Sequence, residues 1–292
     1  DISTMLHLLE KLGVQVSTEK HQTKLDASKI KDTIAQYEIV KTMRASILVL
    51  GPLLSRFGKA SVSLPGGCAI GARPIDLHLM GLKLMGAEIT VHAGYVEAKA
   101  QRLHGATINL PFPSVGATEN ILMAAVYAKG KTTIVGAARE PEIIDLGNFL
   151  LSVFPDLKIS GLGSNQIDID GIERNSAHLE IDYTPIGDRI EAATLIMAAV
   201  MAAESTVKIE GFLPEHLQEV LNVLGKMGAK LKVLSHGVEV YPSPALKPIT
   251  VETAPYPGFP TDAQAQLVAL CLKAQGESII SENIFENRFM HV

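Results

Sequence analysis

The chain predicts an α/β protein built from repeats, and three observations carry that prediction. A helix end, a glycine cap and a strand-like alternation recur at Leu12-Gly-Val-Gln-Val16, Met85-Gly-Ala-Glu-Ile89 and Met227-Gly-Ala-Lys-Leu231, the mark of a repeated unit. Helices of a second kind, rich in Ala, Leu, Ile and Met on every side, alternate with the helices that end at these caps, as helices buried inside a domain do. The length, 292 residues, suffices for about two domains with a core each.

The first helix places Met5, Leu8, Leu9 and Leu12 on one face, and the last of its kind places Val220, Val223, Leu224 and Met227 there, at the i, i+3, i+4, i+7 spacing,. A looser copy runs from Pro141 through Leu150 to Ile159, with Pro155 in place of the glycine. The second kind of helix is expected over Val40–Phe57, Ala117–Lys129, Arg189–Ala203 and Asp262–Ala274. Each is followed by a short strand, at Ala60–Leu64, Thr132–Val135, Thr206–Ile209 and Ser278–Ile280. Further strands are expected at Tyr95–Ala98, Thr107–Leu110, Leu179–Asp182 and Ile249–Glu252. The unit therefore reads helix–strand–strand–strand–helix–strand. Its starts at Pro74, Pro141 and Pro214 lie 67 and 73 residues apart, and Asp1 opens an incomplete first copy. Pro185 and Gly187 break the pattern in Asp182-Tyr-Thr-Pro-Ile-Gly187, which suggests one lobe over residues 1–185 and part of a second over 186–292. A cleft between lobes is the usual place for a small-molecule site.

Composition narrows the function. With a net charge of −5 and no Lys/Arg run, nucleic acid is a poor partner, whereas a few local arginines could still hold an anionic small molecule. The most apolar run, Ala192 to Ala203, is about twelve residues, too short to span a bilayer, so no membrane partner is expected. The nine histidines and two cysteines show no His-x-x-x-His or Cys-x-x-Cys spacing, and no metal is expected. Cys68 and Cys271 make no disulfide framework and fit a reducing compartment; Cys271, in Leu267-Val-Ala-Leu-Cys-Leu-Lys273, reads as core,. The opening inside a helix pattern and the abrupt stop at Phe289-Met-His-Val292 read as a fragment.

The stretch Ser63 to His78 holds the strongest chemical signal. An apolar strand runs into Pro65-Gly66-Gly67, Cys68 follows, and Arg73-Pro74 stands where a helix would begin,. A guanidinium and a helix N-terminus both favour a thiolate, so Cys68 is a candidate reactive thiol; the alternative is a small residue in a tight loop. Arg44 is the odd charge in an otherwise apolar helix, and a buried arginine needs an ion-pair partner or a ligand anion. Ser114 to Gly116 precede a helix whose free N–H groups could hold a phosphate oxygen. Thr261-Asp262 opens another, so Asp262 reads by itself as a cap.

These segments, with Lys41-Thr-Met-Arg44-Ala-Ser, Ser114-Val-Gly-Ala-Thr118, Ala138-Arg-Glu-Pro-Glu142, Gly187-Asp-Arg-Ile-Glu191, Phe259-Pro-Thr-Asp262-Ala-Gln-Ala-Gln266 and Phe285-Glu-Asn-Arg288-Phe-Met-His, resemble the UDP-N-acetylglucosamine 1-carboxyvinyltransferases in order and over the whole chain. The resemblance implies a two-lobed inside-out α/β barrel of six βαβαββ units, of which four are present here. It implies transfer of the enolpyruvyl group of phosphoenolpyruvate to the 3′-hydroxyl of UDP-N-acetylglucosamine, with release of phosphate, at the start of peptidoglycan precursor synthesis. It also implies a cytoplasmic enzyme with no cofactor and no obligate protein partner.

Carried over residue by residue, Cys68 matches the general acid, which can also add covalently to phosphoenolpyruvate, and Asp262 the base near the sugar hydroxyl. Arg73 matches a catalytic loop arginine that clamps anionic groups, and Arg44 a substrate-contacting arginine. Pro74, Ile75, Asp76 and Leu77 match a nucleotide-sugar segment. Phe112, Pro113, Ser114 and Val115 fall where the family meets the uridine diphosphate; Phe112 departs from members with lysine there, so a charged contact is missing. Ile284 matches an apolar contact to the nucleotide sugar, or is simply strand core. His78, Gly116 and Arg288 stand at the edge of the match and could be structural. The family's Lys-Asn pair would precede Asp1 and a late arginine would follow Val292, which predicts poor turnover. Two other readings compete: the shikimate-pathway enolpyruvyl transferase, and a non-catalytic repeat scaffold.

Overall fold

A computed structural model describes all residues except 1, 21, 42, 65–74 and 244. The described residues form two compact units, one of 2–64, 75–139 and 146–181, the other of 140–145 and 182–292.

The first unit opens with α1 (Ile2–Leu12) and the hairpin β1 (Gln15–Glu19) and β2 (Gln22–Asp26). Then come β3 (Ile34–Ala35), α2 (Tyr37–Val40), a 3-10 turn over Arg44–Val49, α3 (Leu50–Phe57) and β4 (Lys59–Ser63). The next copy of the unit is α4 (Asp76–Leu84), β5 (Glu88–His92), β6 (Tyr95–Lys99), β7 (Thr107–Asn109), α5 (Val115–Ala125) and β8 (Lys131–Val135). A further copy begins with α6 (Pro141–Val153), whose first residues belong to the second unit, and continues with β9 (Lys158–Ser160) and β10 (Gln166–Asp170). The second unit holds α7 (Arg189–Ala202), β11 (Val207–Glu210), α8 (Gln218–Lys226), β12 (Lys230–Leu234), β13 (Gly237–Tyr241), β14 (Thr250–Glu252), α9 (Gln264–Cys271) and β15 (Ile279–Ser281).

The repeat is physical as well as sequential. Gly13, Gly86 and Gly228 sit at φ of 101°, 92° and 91°, where only glycine is unstrained. Each closes its helix with the same bond pair: Gly13 N–H donates to Glu10 O and Val14 N–H to Leu9 O, and the equivalents join Gly86 to Lys83, Ala87 to Leu82, Gly228 to Gly225 and Ala229 to Leu224. That pattern turns the chain directly into a hairpin. The sheets repeat too, in the orders β3-β4-β6-β5 and β7-β8-β10-β9, each with one parallel pair followed by two antiparallel ones. Parallel pairs require a crossover, and the crossover helices are the apolar ones. In α5, Ala117, Thr118, Asn120, Ile121, Leu122, Ala124 and Ala125 are all buried. In the second unit the core gathers around α7 and α8, with Ile196, Leu224, Leu267 and Phe259 at its centre.

Three expectations are corrected. The helix expected over Val40–Phe57 is broken into α2, the 3-10 turn and α3. Pro52 accounts for the second break, the one before α3: it lacks an N–H and its ring collides with the carbonyl four residues back, so it fits only in a first turn,. The strand expected at Leu179–Asp182 does not form; this stretch instead ties Leu179 N–H to Val153 O, at 2.8 Å. The second-unit sheet is accordingly β11-β13-β12, without the leading parallel strand found beside β4 and β8. Cys271 is only half-buried, packed on the core's margin.

Candidate active site

In the first unit three segments meet at one buried side chain. Asn120 on α5 is fully buried, and its amide is used completely. Its Oδ1 accepts from Gly51 N–H at 2.7 Å, and its Nδ2 donates to Ile47 O at 3.1 Å and faces His78 Nδ1 at 3.0 Å. Asn120 thus ties the Arg44–Val49 turn and α3 to α4. The fit is close: a Cβ on Gly51 would stand 2.3 Å from Asn120 Oδ1 and 2.4 Å from its carbonyl oxygen.

His78 is buried in α4, and its pKa falls to about 4, because burial disfavours the charged ring and the Arg44 charge lies near,. It is neutral at pH 7. Its Cε1 and Nε2 lie over the first turn of α5, where a Cβ on Gly116 would come within 3.2 Å and 3.5 Å of them. Ser114 caps that turn by accepting from Ala117 N–H at 3.4 Å,. Asp76 begins α4, where a carboxylate suits the positive end of the helix dipole,.

The second unit assembles a separate group. Asp262 does not cap its helix: Pro260 holds the N-cap position of the 3-10 turn Thr261–Ala263, with no side-chain cap. Its Oδ1 accepts instead from Arg288 Nη2 at 2.9 Å. The Arg288 side chain is 15% exposed and that of Asp262 is 56% exposed, so the carboxylate keeps a face open to solvent. Arg288 also lies 5.8 Å from the Phe285 ring centroid. Glu282 builds the loop that carries these residues, accepting from Thr261 Oγ1, Ile284 N–H and Phe285 N–H.

Of the residues expected in the site, Cys68, Arg73 and Pro74 lie outside the described residues. Arg44 and Gly116 are brought together around His78; Ile75 is buried just ahead of α4, with Asp76 exposed and Leu77 half-buried. Phe112, Pro113 and Val115 are exposed and Ser114 is half-buried. Asp262 and Arg288 are paired, and Ile284 is exposed beyond β15, so it is not strand core. Sequence reasoning missed Asn120, which follows Thr118 and Glu119 in α5 and so does not stand out as a lone polar group. Arg189, buried at the start of α7, pairs with Glu142 at 2.9 Å. Among the described residues no His/Cys/Asp/Glu group could hold a metal ion, and no helix is long and apolar enough to cross a membrane.

The family model for EPSP synthase (3-phosphoshikimate 1-carboxyvinyltransferase) matches residues 1–292. The chain is 49% identical to the UDP-N-acetylglucosamine 1-carboxyvinyltransferase of a Nitratiruptor species, covering 100% of this chain and 69% of that protein. It is 47% identical to UDP-N-acetylglucosamine 1-carboxyvinyltransferase 1 of Caldanaerobacter subterraneus, at the same coverage. The chain belongs to the carboxyvinyltransferase family. This carboxyvinyltransferase superposes on the enolpyruvyl transferase NikO from Streptomyces tendae with a TM-score of 0.82 at 23% identity, over 96% of this chain and 66% of that one. An EPSP synthase from Acinetobacter baumannii matches with a TM-score of 0.62 at 21% identity, over 95% and 64%. The fold is the mixed α/β enolpyruvyl transferase fold, and the carboxyvinyltransferase is a transferase by descent.

Proposed function

We propose that the protein transfers the enolpyruvyl group of phosphoenolpyruvate to the 3′-hydroxyl of UDP-N-acetylglucosamine, releasing phosphate. The observation that carries this reading is similarity over the full chain to relatives of that name.

The chemistry assigns each group a task. Cys68 gives its proton to C3 of phosphoenolpyruvate, which makes C2 electrophilic. Asp262 accepts the proton of the 3′-hydroxyl as that oxygen bonds to C2. The C–O bond to phosphate then breaks while the thiolate recovers a C3 proton, which restores the double bond in the enolpyruvyl ether, and the phosphate leaves as hydrogen phosphate with the proton that Asp262 had accepted. Arg44 and Arg73 offset the charge of the phosphate and carboxylate. Arg288 holds the Asp262 carboxylate in place, and Ile75, Asp76, Leu77, Ser114 and Val115 line the nucleotide sugar. Both substrates are cytoplasmic metabolites, which puts the reaction in the cytoplasm.

Fosfomycin, an epoxide that mimics phosphoenolpyruvate, tests this reading. Mass spectrometry is expected to find an adduct on Cys68, formed faster with UDP-N-acetylglucosamine present, and none on Cys271, whose thiol pKa burial raises,. An unmodified Cys68 would overturn the assignment, as would phosphate release that depends on shikimate 3-phosphate instead of the nucleotide sugar.

A further inference from the structure

The group around Asn120 contains one determination that the functional reading does not use. An Asn side chain offers two donors on nitrogen and an acceptor on oxygen. Gly51 N–H is a donor without alternative, so the atom 2.7 Å from it is the oxygen. The nitrogen therefore carries both remaining bonds. One proton goes to the Ile47 carbonyl, which can only accept, and the other points at His78 Nδ1. Nδ1 must then offer a lone pair, and in a neutral imidazole the proton resides on Nε2.

We propose that Asn120 is a positioning residue: it holds His78 as the Nε2–H tautomer, and so presents a fixed, neutral hydrogen-bond donor beside Arg44 at the first turn of α5, where it serves an anionic group of the nucleotide sugar. The ligand part of this inference rests on the function proposed above; the tautomer does not. Three features support the assignment independently. Asn120 is fully buried and every atom of its amide has a partner, so the ring cannot be offered a different group without leaving a buried donor or acceptor unmade,. Gly116 carries no side chain to press on this edge of the ring, where a Cβ would stand 3.2 Å from Cε1 and 3.5 Å from Nε2. The Arg44 charge disfavours a second proton on the ring, so the donor stays neutral and does not repel the guanidinium,.

The test combines a spectrum with a binding constant. In the ligand-free wild-type protein, 15N NMR of the histidine ring is expected to show His78 protonated at Nε2 and bare at Nδ1. The Asn120→Asp variant puts an acceptor opposite Nδ1, and is expected to move the proton to Nδ1 and weaken UDP-N-acetylglucosamine binding roughly tenfold, with a melting temperature lowered as well. Asn120→Ala, which removes the partner without imposing the other tautomer, is expected to lose stability with a smaller loss of affinity. A wild-type spectrum with the proton on Nδ1 would overturn the proposal whatever the variants do. So would an Asn120→Asp protein with a switched tautomer and unchanged affinity, the outcome of a purely structural role. A wild-type protein that fails to bind the nucleotide sugar at all would overturn the functional reading, and with it the ligand part, while the spectrum would still decide the tautomer.

Discussion

His78 is a buried base whose pKa is set by its surroundings, and that has a consequence for stability. Its pKa is about 4 in the folded protein against 6.5 for the free side chain. Between those values the unfolded chain takes up a proton that the folded one refuses, so stability falls as the pH falls. The contribution is complete above pH 6.5, and it declines by about 3 kcal/mol by pH 4, at 1.36 kcal/mol per unit,. Denaturant midpoints measured from pH 7.5 to 4 are expected to drop more steeply for the wild type than for His78→Asn; parallel curves would show that His78 titrates normally. At this scale the site was partly legible. A charge in an apolar stretch pointed to Arg44, although the structure leaves it half-buried at the start of a 3-10 turn and not buried within a helix,. The same reasoning does not reach Asn120, because Thr118 and Glu119 beside it make a polar run of which only the fold shows one member to be buried. Asp262 misled local reasoning because Asp before a helix suits a cap, and only the loop after β15, 26 residues later in sequence, brings Arg288 to it.

Among the elements, α3 and α5 cross at a glycine. Helices approach this closely only where one side lacks a Cβ. On Gly51 a methyl would strike the backbone oxygen of Asn120 at 2.4 Å, and backbone cannot turn aside. On Gly81 of α4 a methyl would meet Ile121 Cδ1 at 2.5 Å and Cγ1 at 2.7 Å, side-chain atoms that a change of rotamer can move where a backbone oxygen cannot,. Gly51→Ala is therefore expected to destabilise by about 3 kcal/mol and Gly81→Ala by about 1 kcal/mol, the upper and lower ends of the usual overpacking range. Thermal unfolding of the two variants decides the order; equal losses would mean that α3 and α5 can slide apart freely. The elements themselves were legible wherever the signal was local. Glycine caps and apolar periodicity fixed α1, α4 and α8, since each depends only on residues within two turns. Pro52 was an equally local signal for the break before α3. The absent strand at 179–182 was not of that kind: Leu-Glu-Ile-Asp alternates as a strand should, but a strand exists only where a partner edge is offered.

Over the whole molecule, the repeated sheet order was readable because each copy solves the same problem: how to bury a crossover helix beneath a hairpin and one parallel strand. The third copy departs from that order at the stretch where the chain passes from one unit to the other. Residues 171–188 contain no helix or strand, the longest such stretch among the described residues. Within it the backbone bonds are few, Ser176 N–H to Glu173 O and Leu179 N–H to Val153 O among them. Protease cleavage needs several consecutive residues free of regular structure, and tight hairpin turns do not provide them. A glutamate-specific protease finds two exposed sites here, Glu173 and Glu180. Glu173 is held by Arg102 Nη1 through both carboxylate oxygens, at 2.7 Å and 2.6 Å, whereas no side-chain bond ties down Glu180 among the described residues. Limited digestion is therefore expected to cut first after Glu180 and to leave fragments of residues 1–180 and 181–292, identified by mass. A first cut inside β1–β2 or at the Glu204 turn would show that the break in the repeat is better ordered than its bonding indicates.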